Sequence, residues 1–366
     1  MNKIALVHDF LTQRGGAERV LQLLCQKFPE ADVYTSVYSA AETIDLGDRQ
    51  ISTTKLQHLP GSARFFRLLA PFYFPAFESL DLSAYDLIIS HTTSFAKAAR
   101  KRSDAHHICM CHNVTRFLWD TETYLGQYQS FKPFYPVIEP IFHWMRAIDL
   151  KYAQYPDVYI ANSHTVAKRI QEFYQRPSIV VNCPIDENKF VFSEEKEDFF
   201  LVSSRFLGYK RIDIIIEAFN QLGWPLVIIG EGPEESSLKK AAKENIKFLG
   251  YVDDEQRTHL MSKARAVVVA ALEDYGLVPV EANASGTPVI AYGAGGVLDT
   301  QLPGITGLFF KEQSADSLYK TLREFENIQW DYHRIYQHVL DNFTHEIFFE
   351  KIDQIIEDTC RRAVYI

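Results

Sequence analysis

Short apolar runs rich in β-branched residues recur along the whole chain, and each is followed by a polar turn and a helical pattern. Runs of this kind are typical of strands buried on both faces of a parallel sheet. Because such strands alternate with helices throughout, the chain is predicted to be an α/β protein with doubly wound parallel sheets. The predicted strands include residues 3–10, 107–111, 157–161, 246–252 and 266–271.

The length of the chain indicates two domains. Its 366 residues exceed a single typical domain of roughly 100–200 residues. An apolar content of 47% is sufficient for two cores. The strand and helix alternation starts again after residues 176–186. The domains are therefore predicted at 1–178 and 179–345.

Composition excludes several classes of protein. A net charge of −9 argues against broad nucleic-acid binding, which needs a clustered positive surface. No stretch approaches the ~18 uninterrupted apolar residues of a membrane span, and the first residues lack the longer apolar region of a signal peptide. The expected location is therefore the cytoplasm. Five cysteines without a Cys-x-x-Cys pair predict reduced thiols rather than a disulfide framework or a zinc site.

Two carboxylates flank a glycine-containing turn directly after the predicted strand 266–271. Glu273 precedes the turn, and Glu281 lies within the helix that follows it. The backbone N–H groups of Gly276 and Leu277 should point out of the start of this helix, where the helix dipole favours an anion. The turn is therefore able to hold a sugar and a diphosphate. Ordinary helix capping by acidic residues is the alternative interpretation.

This pattern of an acid, seven residues and an acid, followed by Ala-x-Ala-Ser-Gly-x-Pro-Val-Ile-Ala, resembles glycosyltransferase family 4. The resemblance implies the GT-B fold, in which two Rossmann-like domains face each other across a cleft. It implies an acceptor-binding first domain, a second domain for the nucleotide sugar, and a last helix, at 346–366, that crosses back to the first domain. It also implies that Glu273 faces the donor sugar, that Gly276 and Leu277 bind the diphosphate, and that Glu281 binds the ribose.

Two cations follow the strand that begins near residue 201. Arg205 and Lys210 resemble the Arg and Lys pair with which the family binds the diphosphate. A planar guanidinium and a compact ammonium can together neutralise a pyrophosphate leaving group. Since the chain also contains no Asp-x-Asp triplet, transfer without a metal ion is predicted. The alternative interpretation is that Arg205 and Lys210 are two solvated cations on the protein surface.

Three further turns resemble the family at donor-side positions. The turn at Gly230 follows an apolar strand, but it lacks the third glycine of a dinucleotide fingerprint. Gly230 and Tyr251 are candidates for lining the donor site near the base and ribose. The alternative is that both residues only pack within the sheet. Gly15 and Gly16 precede the first helix, where paired glycines let amides approach an anion. Paired glycines are also common in ordinary turns.

His112 follows the predicted strand 107–111. The segment from Cys111 to Asp120 is similar to a Cys-His-x-x-x-Arg-Tyr-Leu-Trp-Asp stretch in a polysaccharide-building branch of the family. The resemblance implies that the histidine lies against the transferred sugar, where a neutral imidazole suits a centre of growing positive charge. Arg116 and Asp120 are acceptor-side candidates, and helix-start electrostatics is the alternative for them.

The resemblance implies a retaining hexosyltransferase that needs no cofactor beyond its nucleotide-sugar co-substrate. UDP-glucose and GDP-mannose both remain open as donors. The acceptor is expected to be a saccharide, either free or lipid-linked, in polysaccharide biosynthesis. Glu273, His112, Arg205 and Lys210 are the catalytic candidates. Two alternatives stay open: a nucleotide-sugar epimerase on the same fold, and a non-catalytic sugar-nucleotide-binding protein.

Two aromatic segments bear on the acceptor. Residues 61–75 combine Arg64 and Arg67 with many aromatic side chains, which fits either peripheral contact with the inner face of a membrane or a helix packed on its own domain. Residues 124–144 are also rich in aromatic residues and interrupted by prolines. They are predicted to form a mobile loop on the acceptor side.

Overall fold

The computed structural model describes residues 3–121 and 135–362. The described residues form two compact units. The first contains the chain up to residue 183 together with residues 348–362, and the second contains residues 184–347. The C-terminal helix, His345–Arg362, therefore begins in the second unit and belongs to the first for most of its length.

The first unit is built on a parallel seven-stranded sheet. Its strand order is β3-β2-β1-β4-β5-β6-β7. The central strands are buried along almost their whole length, so both of their faces are covered, as expected for a sheet packed on two sides. The strands are β1 Ile4–His8, β2 Asp32–Thr35, β3 Ile51–Thr53, β4 Leu87–Thr92, β5 His106–Cys111, β6 Val158–Ala161 and β7 Ile179–Val180.

The helices of the first unit begin after the carboxyl ends of these strands. Ser163 caps one of them, because its side chain accepts a hydrogen bond from the Val166 amide at 3.1 Å. One prediction is wrong: the region 124–144, expected to be a loop, is helical from Tyr135 onwards, and residues 122–134 lie outside the described part. The helices are α1 Gly16–Lys27, α2 Ala70–Glu78, α3 Arg116–Trp119, α4 Tyr135–Tyr152 and α5 His164–Arg169, the last continued by a π-helical turn, Ile170–Tyr174.

The second unit repeats this architecture with a parallel six-stranded sheet of order β10-β9-β8-β11-β12-β13. Its strands are β8 Phe200–Ser203, β9 Leu226–Ile229, β10 Ile246–Gly250, β11 Val267–Val269, β12 Val289–Tyr292 and β13 Gly307–Phe310. Its helices are α6 Ile212–Leu222, α7 Glu235–Ala241, α8 Asp254–Lys263, α9 Leu277–Ala284, α10 Val297–Thr300, α11 Ala315–Phe325 and α12 Tyr332–Asn342.

The order of the strands reverses once in each sheet. In the first unit the reversal lies between β1 and β4, and in the second between β8 and β11. Connections leave toward opposite faces at such a point, so a crevice opens outside the carboxyl ends of the two strands. The prediction of doubly wound parallel sheets is confirmed, and each sheet has one reversal point, the usual place for a ligand in such sheets.

A buried ion pair fixes the segment that follows β5. The Lys97 ammonium lies 2.7 Å from the Asp149 carboxylate, and both side chains are almost fully buried. Asp149 also accepts hydrogen bonds from the Thr115 hydroxyl at 3.0 Å and from the Trp119 indole at 2.7 Å. These bonds satisfy a carboxylate that would be costly to bury unpaired. They attach the short helix α3 to α4.

Buried histidine side chains predict that the first unit loses stability in acid. His107 is fully buried on β5, its Nε2 lies 2.7 Å from the Ser90 hydroxyl, and burial lowers its pKa from 6.5 to about 3. The unfolded chain therefore binds a proton below pH 6.5 that the folded chain does not bind until about pH 3. As pH falls through this window, the free energy of unfolding therefore decreases by about 1.4 kcal/mol per pH unit because of His107.

The variant His107→Gln should remove this contribution while keeping a polar partner for Ser90. Urea unfolding from about pH 7 to about pH 5 should show a pH slope smaller than that of the wild type by about one proton. An unchanged slope would show that His107 is already protonated in the folded protein.

Candidate active site

A crevice of about 210 Å³ opens in the second unit at the reversal of strand order. The loop after β8 contributes Arg205 and Lys210, and the loop after β11 contributes Glu273. The other lining residues are mostly apolar residues of β8, β11 and the adjacent helices. Three charged groups that are distant in sequence therefore meet in a pocket with apolar walls.

Lys210 and Glu273 form an ion pair at the centre of this crevice. The ammonium nitrogen lies 2.5 Å from the Glu273 Oε1, and the side chains are 15% and 21% exposed. Burial lowers the pKa of Lys210, but the attraction of Glu273 outweighs burial, so the pKa is raised above its ordinary value. Lys210 is therefore held as a cation in a largely desolvated place.

Arg205 supplies a second positive charge beside this pair. Its side chain is exposed, and its Nη2 lies 3.5 Å from the Tyr209 hydroxyl. Repulsion from the positive charge of Arg205 lowers the pKa of Lys210 and so offsets part of the effect of Glu273. Two cations close enough to repel each other form a site that favours a polyvalent anion.

The first turn of α9 borders the crevice: Val278 lines it, and Gly276 and Leu277 directly precede Val278 outside the lining. Gly276 occupies the N-cap position with φ +91°, a left-handed conformation that glycine adopts without strain, and Leu277 is the first helical residue. The first N–H groups of a helix lack carbonyl partners within that helix and carry its partial positive charge. This turn follows Glu273 directly, so amide donors lie next to the ion pair.

A second pair of glycines, not among the residues predicted from the sequence, holds this turn in place. The Gly296 amide donates a hydrogen bond to the Glu273 carbonyl at 2.8 Å, and Gly295 forms a β-bridge with Glu273. A Cβ on Gly296 would lie 2.3 Å from the Tyr275 Cα and 2.4 Å from the Asp274 carbonyl oxygen. The sequence does contain a signal for this pair: Gly295 and Gly296 follow β12 and lead into a helix, as Gly15 and Gly16 do after β1.

Glu281 is fixed by an arginine that the sequence did not point to. The Arg257 Nη1 lies 2.6 Å from the Glu281 Oε2, and the Glu281 side chain is 6% exposed. Although burial lowers the pKa of Arg257, Glu281 raises it above its ordinary value. The pair places the carboxylate on the inner side of α9, and its role toward a ribose stays a prediction.

The remaining donor-side candidates of the second unit lie outside the lining of the crevice. Gly230 has φ +123°, and a Cβ there would lie 1.9 Å from the Ser204 carbonyl oxygen. Glycine is thus required for the close packing of this turn against the loop of Arg205, which supports the packing interpretation. Tyr251 is 77% exposed after β10, and a role in binding a base stays a prediction.

In the first unit, the glycine candidates follow the carboxyl end of β1, and the histidine candidate follows the carboxyl end of β5. Gly15 is the N-cap residue of α1, and Gly16 is its first helical residue. His112 follows β5, with its Nε2 hydrogen-bonded to the Nε2 of His91. Burial lowers the pKa of His112 to about 4, so its imidazole is neutral at neutral pH.

Arg116 and Asp120 pair with each other across one turn of the chain. The Arg116 Nη2 lies 3.6 Å from the Asp120 Oδ2, and the side chains are about one quarter exposed. An ion pair at this spacing is ordinary for a helical segment. Their assignment to an acceptor stays a prediction.

Comparison with known proteins agrees with this architecture. A protein-family sequence model described as glycosyl transferases group 1 matches residues 184–362. A second family model, described as glycosyltransferase family 4, matches residues 14–189. The matching models therefore place the chain in the class of glycosyltransferases. Specifically, the chain belongs to the group 1 and family 4 glycosyltransferases, and its two Rossmann-like units have the GT-B fold.

The individual relatives share only part of the chain with this protein, at low sequence identity. The O-antigen chain mannosyltransferase C of Escherichia coli is 23% identical over 201 residues, which are 50% of this chain and 53% of that protein. A GDP-mannose-dependent phosphatidylinositol monomannoside mannosyltransferase of Corynebacterium glutamicum is 32% identical over 138 residues, 33% of this chain and 36% of that protein. The matches thus span about half, or less, of these curated relatives.

Solved structures match almost the whole chain. Anabaena HepE in complex with UDP and glucose has a TM-score of 0.69 at 18% identity and covers 97% of this chain and 100% of its own. The sucrose-phosphate synthase of Thermosynechococcus elongatus has a TM-score of 0.73 at 17% identity, with 98% and 99% covered. At this identity the likeness shows the fold.

The variant Gly296→Ala tests whether the glycine pair positions the turn of Glu273. The added methyl group would overlap backbone atoms of Tyr275 and Asp274, so the turn must move, and overpacking of this kind costs about 1–3 kcal/mol of unfolding free energy. Urea unfolding measures the loss. The control Gly304→Ala has no atom within 4 Å of the new Cβ and should cost only the strain of its positive φ. Equal stability of the Gly296→Ala variant and the wild type would contradict the packing described here.

Proposed function

We propose that this protein transfers a hexosyl group from a nucleotide-diphosphate sugar to a saccharide acceptor, with retention at the anomeric carbon. The ion pair of Lys210 and Glu273, beside Arg205 and the start of α9, carries this proposal. When the bond from the sugar to the diphosphate breaks, negative charge grows on the leaving phosphate. The largely buried ammonium of Lys210, the exposed guanidinium of Arg205 and the amide donors at the start of α9 together stabilise that charge.

In this mechanism, donor binding replaces Glu273 by the diphosphate as the partner of Lys210, and this exchange prepares Glu273 for the transfer step. In the free protein the Lys210 ammonium is neutralised by Glu273 at 2.5 Å. A bound diphosphate takes over this neutralisation, which releases the Glu273 carboxylate to accept hydrogen bonds from the sugar hydroxyls and to support positive charge at the anomeric carbon. The departing phosphate receives the proton of the acceptor hydroxyl. The proposal needs no metal ion, since Arg205 and Lys210 supply the positive charge.

The first unit is assigned to the acceptor and to the transferred sugar. His112 is neutral at neutral pH and can exchange hydrogen bonds with hydroxyl groups. Arg116 and Asp120 offer charged groups to a saccharide a few residues further on. Polysaccharide biosynthesis in the cytoplasm is the proposed setting, and the O-antigen mannosyltransferase among the relatives supports it.

The nucleotide of the donor remains open between UDP and GDP. A structural neighbour was solved with UDP-glucose, and one relative is a GDP-mannose-dependent enzyme. Transfer assays should therefore be run with both UDP-glucose and GDP-mannose.

The variants Lys210→Ala and Glu273→Ala should each abolish transfer while the protein stays folded. Removing one group that stabilises the transition-state charge costs about 100- to 1,000-fold in kcat. The matched control is Lys239→Ala, because Lys239 and Glu235 form an ion pair at 2.6 Å in the same unit but on an exposed helix. This control should keep wild-type activity. Near-normal turnover of either active-site variant would remove that residue from the mechanism.

The same assay separates the two alternatives. Conversion of the donor sugar without any acceptor would indicate an epimerase. Binding of the nucleotide sugar without transfer or hydrolysis, for every acceptor offered, would indicate a non-catalytic binding protein.

An exposed apolar surface on the first unit supports contact with a lipid-linked acceptor or a membrane surface. Within the described residues no helix is both long and apolar enough to span a bilayer. Phe65, Leu68 and Phe72 are 51%, 76% and 58% exposed, whereas Tyr73 and Phe74 of the same helical region are buried. The segment thus packs on its own unit by one face and presents apolar side chains on the other. Neighbouring arginines, Arg64 and Arg67, would attract anionic head groups.

Binding to lipid vesicles tests this surface. The double variant Leu68→Ser and Phe72→Ser should reduce co-sedimentation with anionic vesicles by about tenfold or more, since two exposed apolar side chains lose their transfer energy. The control Leu298→Ser changes a leucine of the second unit that is 56% exposed, close to the 58% of Phe72, and should bind like the wild type. Vesicle binding that is the same in all three proteins would contradict a role for this surface.

A further inference from the structure

The segment that carries Arg116 and Asp120 has little structure of its own. Helix α3 is a single turn, in which the amides of Leu118, Trp119 and Asp120 donate to the carbonyl oxygens of residues 115 and 116. A lone turn of this length is far too short to be stable by itself, because helix formation has a costly nucleus. Its position must therefore be set by neighbouring parts of the chain.

Helix α4 holds this turn through two charged side chains. The Asp149 carboxylate accepts hydrogen bonds from the Thr115 hydroxyl at 3.0 Å and from the Trp119 indole at 2.7 Å. The Arg146 Nε donates to the Leu118 carbonyl oxygen at 2.6 Å. Arg146 and Asp149 are three residues apart, so their side chains leave the same face of α4. We call these two residues the α4 clamp.

Arg146 also reaches past the end of α3. Its Nη2 donates to the Thr121 hydroxyl at 3.2 Å. Its Nη1 lies 2.7 Å from the Glu139 Oε1, two turns earlier on α4, and this contact holds the planar guanidinium in place. The guanidinium therefore fixes the chain at residues 118 and 121, on either side of Asp120.

The clamped positions and the charged positions of the turn lie on different faces. Thr115, Leu118 and Trp119 are spaced by three and four residues and turn toward α4. Arg116 and Asp120 are four residues apart on the neighbouring face, and about one quarter of each side chain is exposed. The clamp thus fixes the backbone and leaves these two charged side chains accessible to a ligand.

The Asp149 end of the clamp is itself fixed inside the first unit. Its carboxylate is fully buried and lies 2.7 Å from the Lys97 ammonium, which lies 5.2 Å from the centre of the Tyr174 ring. The Tyr174 hydroxyl in turn accepts a hydrogen bond from the Thr115 amide at 3.2 Å. Removing one member of a buried ion pair is strongly destabilising. Arg146, which is 22% exposed, is therefore the member of the clamp to change in an experiment.

We propose that Arg146 and Asp149 are positioning residues, which hold α3 so that Arg116 and Asp120 meet the saccharide acceptor in a fixed arrangement. A guanidinium donates to hydroxyl groups and a carboxylate accepts from them. Fixing both in advance lowers the cost of ordering them when the acceptor binds. This inference rests on the proposed transferase function for its purpose, but the clamp itself is testable without any substrate.

Hydrogen–deuterium exchange of the whole protein, without ligand, tests the clamp. Arg146→Gln should speed exchange in peptides covering residues 116–121 by about tenfold or more, because the turn loses a hydrogen bond to a charged group and opens more often. Arg146→Lys keeps a cation that can donate to a carbonyl oxygen, so it should restore most of the protection.

The matched control is Arg49→Gln in the same unit. Arg49 also binds a backbone carbonyl oxygen, that of Ala31 at 3.0 Å, but it does so before the start of β2, at the opposite edge of the sheet from α3. This variant should leave exchange of residues 116–121 unchanged. Unchanged exchange of these residues in Arg146→Gln would overturn the clamp. So would an equal rise throughout the first unit, which is the sign of a general loss of stability.

Transfer kinetics test the purpose of the clamp. Methyl glycosides of glucose and of mannose serve as acceptor probes, with UDP-glucose and GDP-mannose as donors. Arg146→Gln should raise KM for the saccharide by about tenfold and keep KM for the donor within about twofold, because the donor cations lie in the second unit. Arg146→Lys should return most of the affinity for the saccharide.

A purely structural role of Arg146 predicts a different result. Partial unfolding lowers the apparent kcat and leaves both KM values unchanged, because the remaining folded molecules are normal. That result, or an equal rise of both KM values, would overturn the positioning role. Absence of transfer by the wild type with every donor and probe would count against the proposed function, whereas the exchange data would still test the clamp.

Discussion

The ion pair between Lys210 and Glu273 is the interaction on which the site depends. An ammonium and a carboxylate at 2.5 Å, each with about one fifth or less of its side chain exposed, are stable in this place only while each is neutralised. In the proposed mechanism a diphosphate replaces Glu273 as the partner of Lys210, and hydroxyl groups of the sugar donate to the carboxylate that this exchange releases. The free site thus holds its two cations ready for an anion.

The fold brings these two groups together. Parallel strands place the loops after β8 and β11 side by side, because the order of strands reverses between them. Gly276 starts α9 in a left-handed conformation, and Gly296 packs against the turn so closely that no side chain fits. Backbone packing therefore sets the position of Glu273, and side-chain chemistry sets its charge.

The first unit uses the same place in its own sheet differently. At the carboxyl ends of β1, β4 and β5 it holds three imidazoles in contact, of which His112 is neutral at neutral pH, and Glu18 lies 3.6 Å from His8 at the buried end. Neutral donors and acceptors suit hydroxyl groups, whereas fixed cations suit phosphate. The two sheets thus have one topology and two kinds of chemistry, which matches the two kinds of group that a sugar transfer requires.

Most of the fold could be predicted from the sequence, because buried strands and amphipathic helices leave local patterns. Arg205, Lys210 and Glu273 could also be named from the sequence, because the segments after their strands resemble the donor-binding motifs of the family. Arg257 could not, because its pairing with Glu281 depends on how α8 packs beside α9. His8 and His91 were missed for a similar reason: they are 83 positions apart and become neighbours only through strand register. The helix beginning at Tyr135 was missed because its prolines suggested a loop.

Calorimetric titration with nucleotides tests the central claim most directly. If the crevice binds the diphosphate through Lys210, Arg205 and the start of α9, UDP or GDP should bind about 10- to 100-fold more tightly than the matching monophosphate, since charge-assisted hydrogen bonds contribute about 1.5–3 kcal/mol. This difference should disappear in Lys210→Ala. Equal affinity of the wild type for diphosphate and monophosphate would contradict the account.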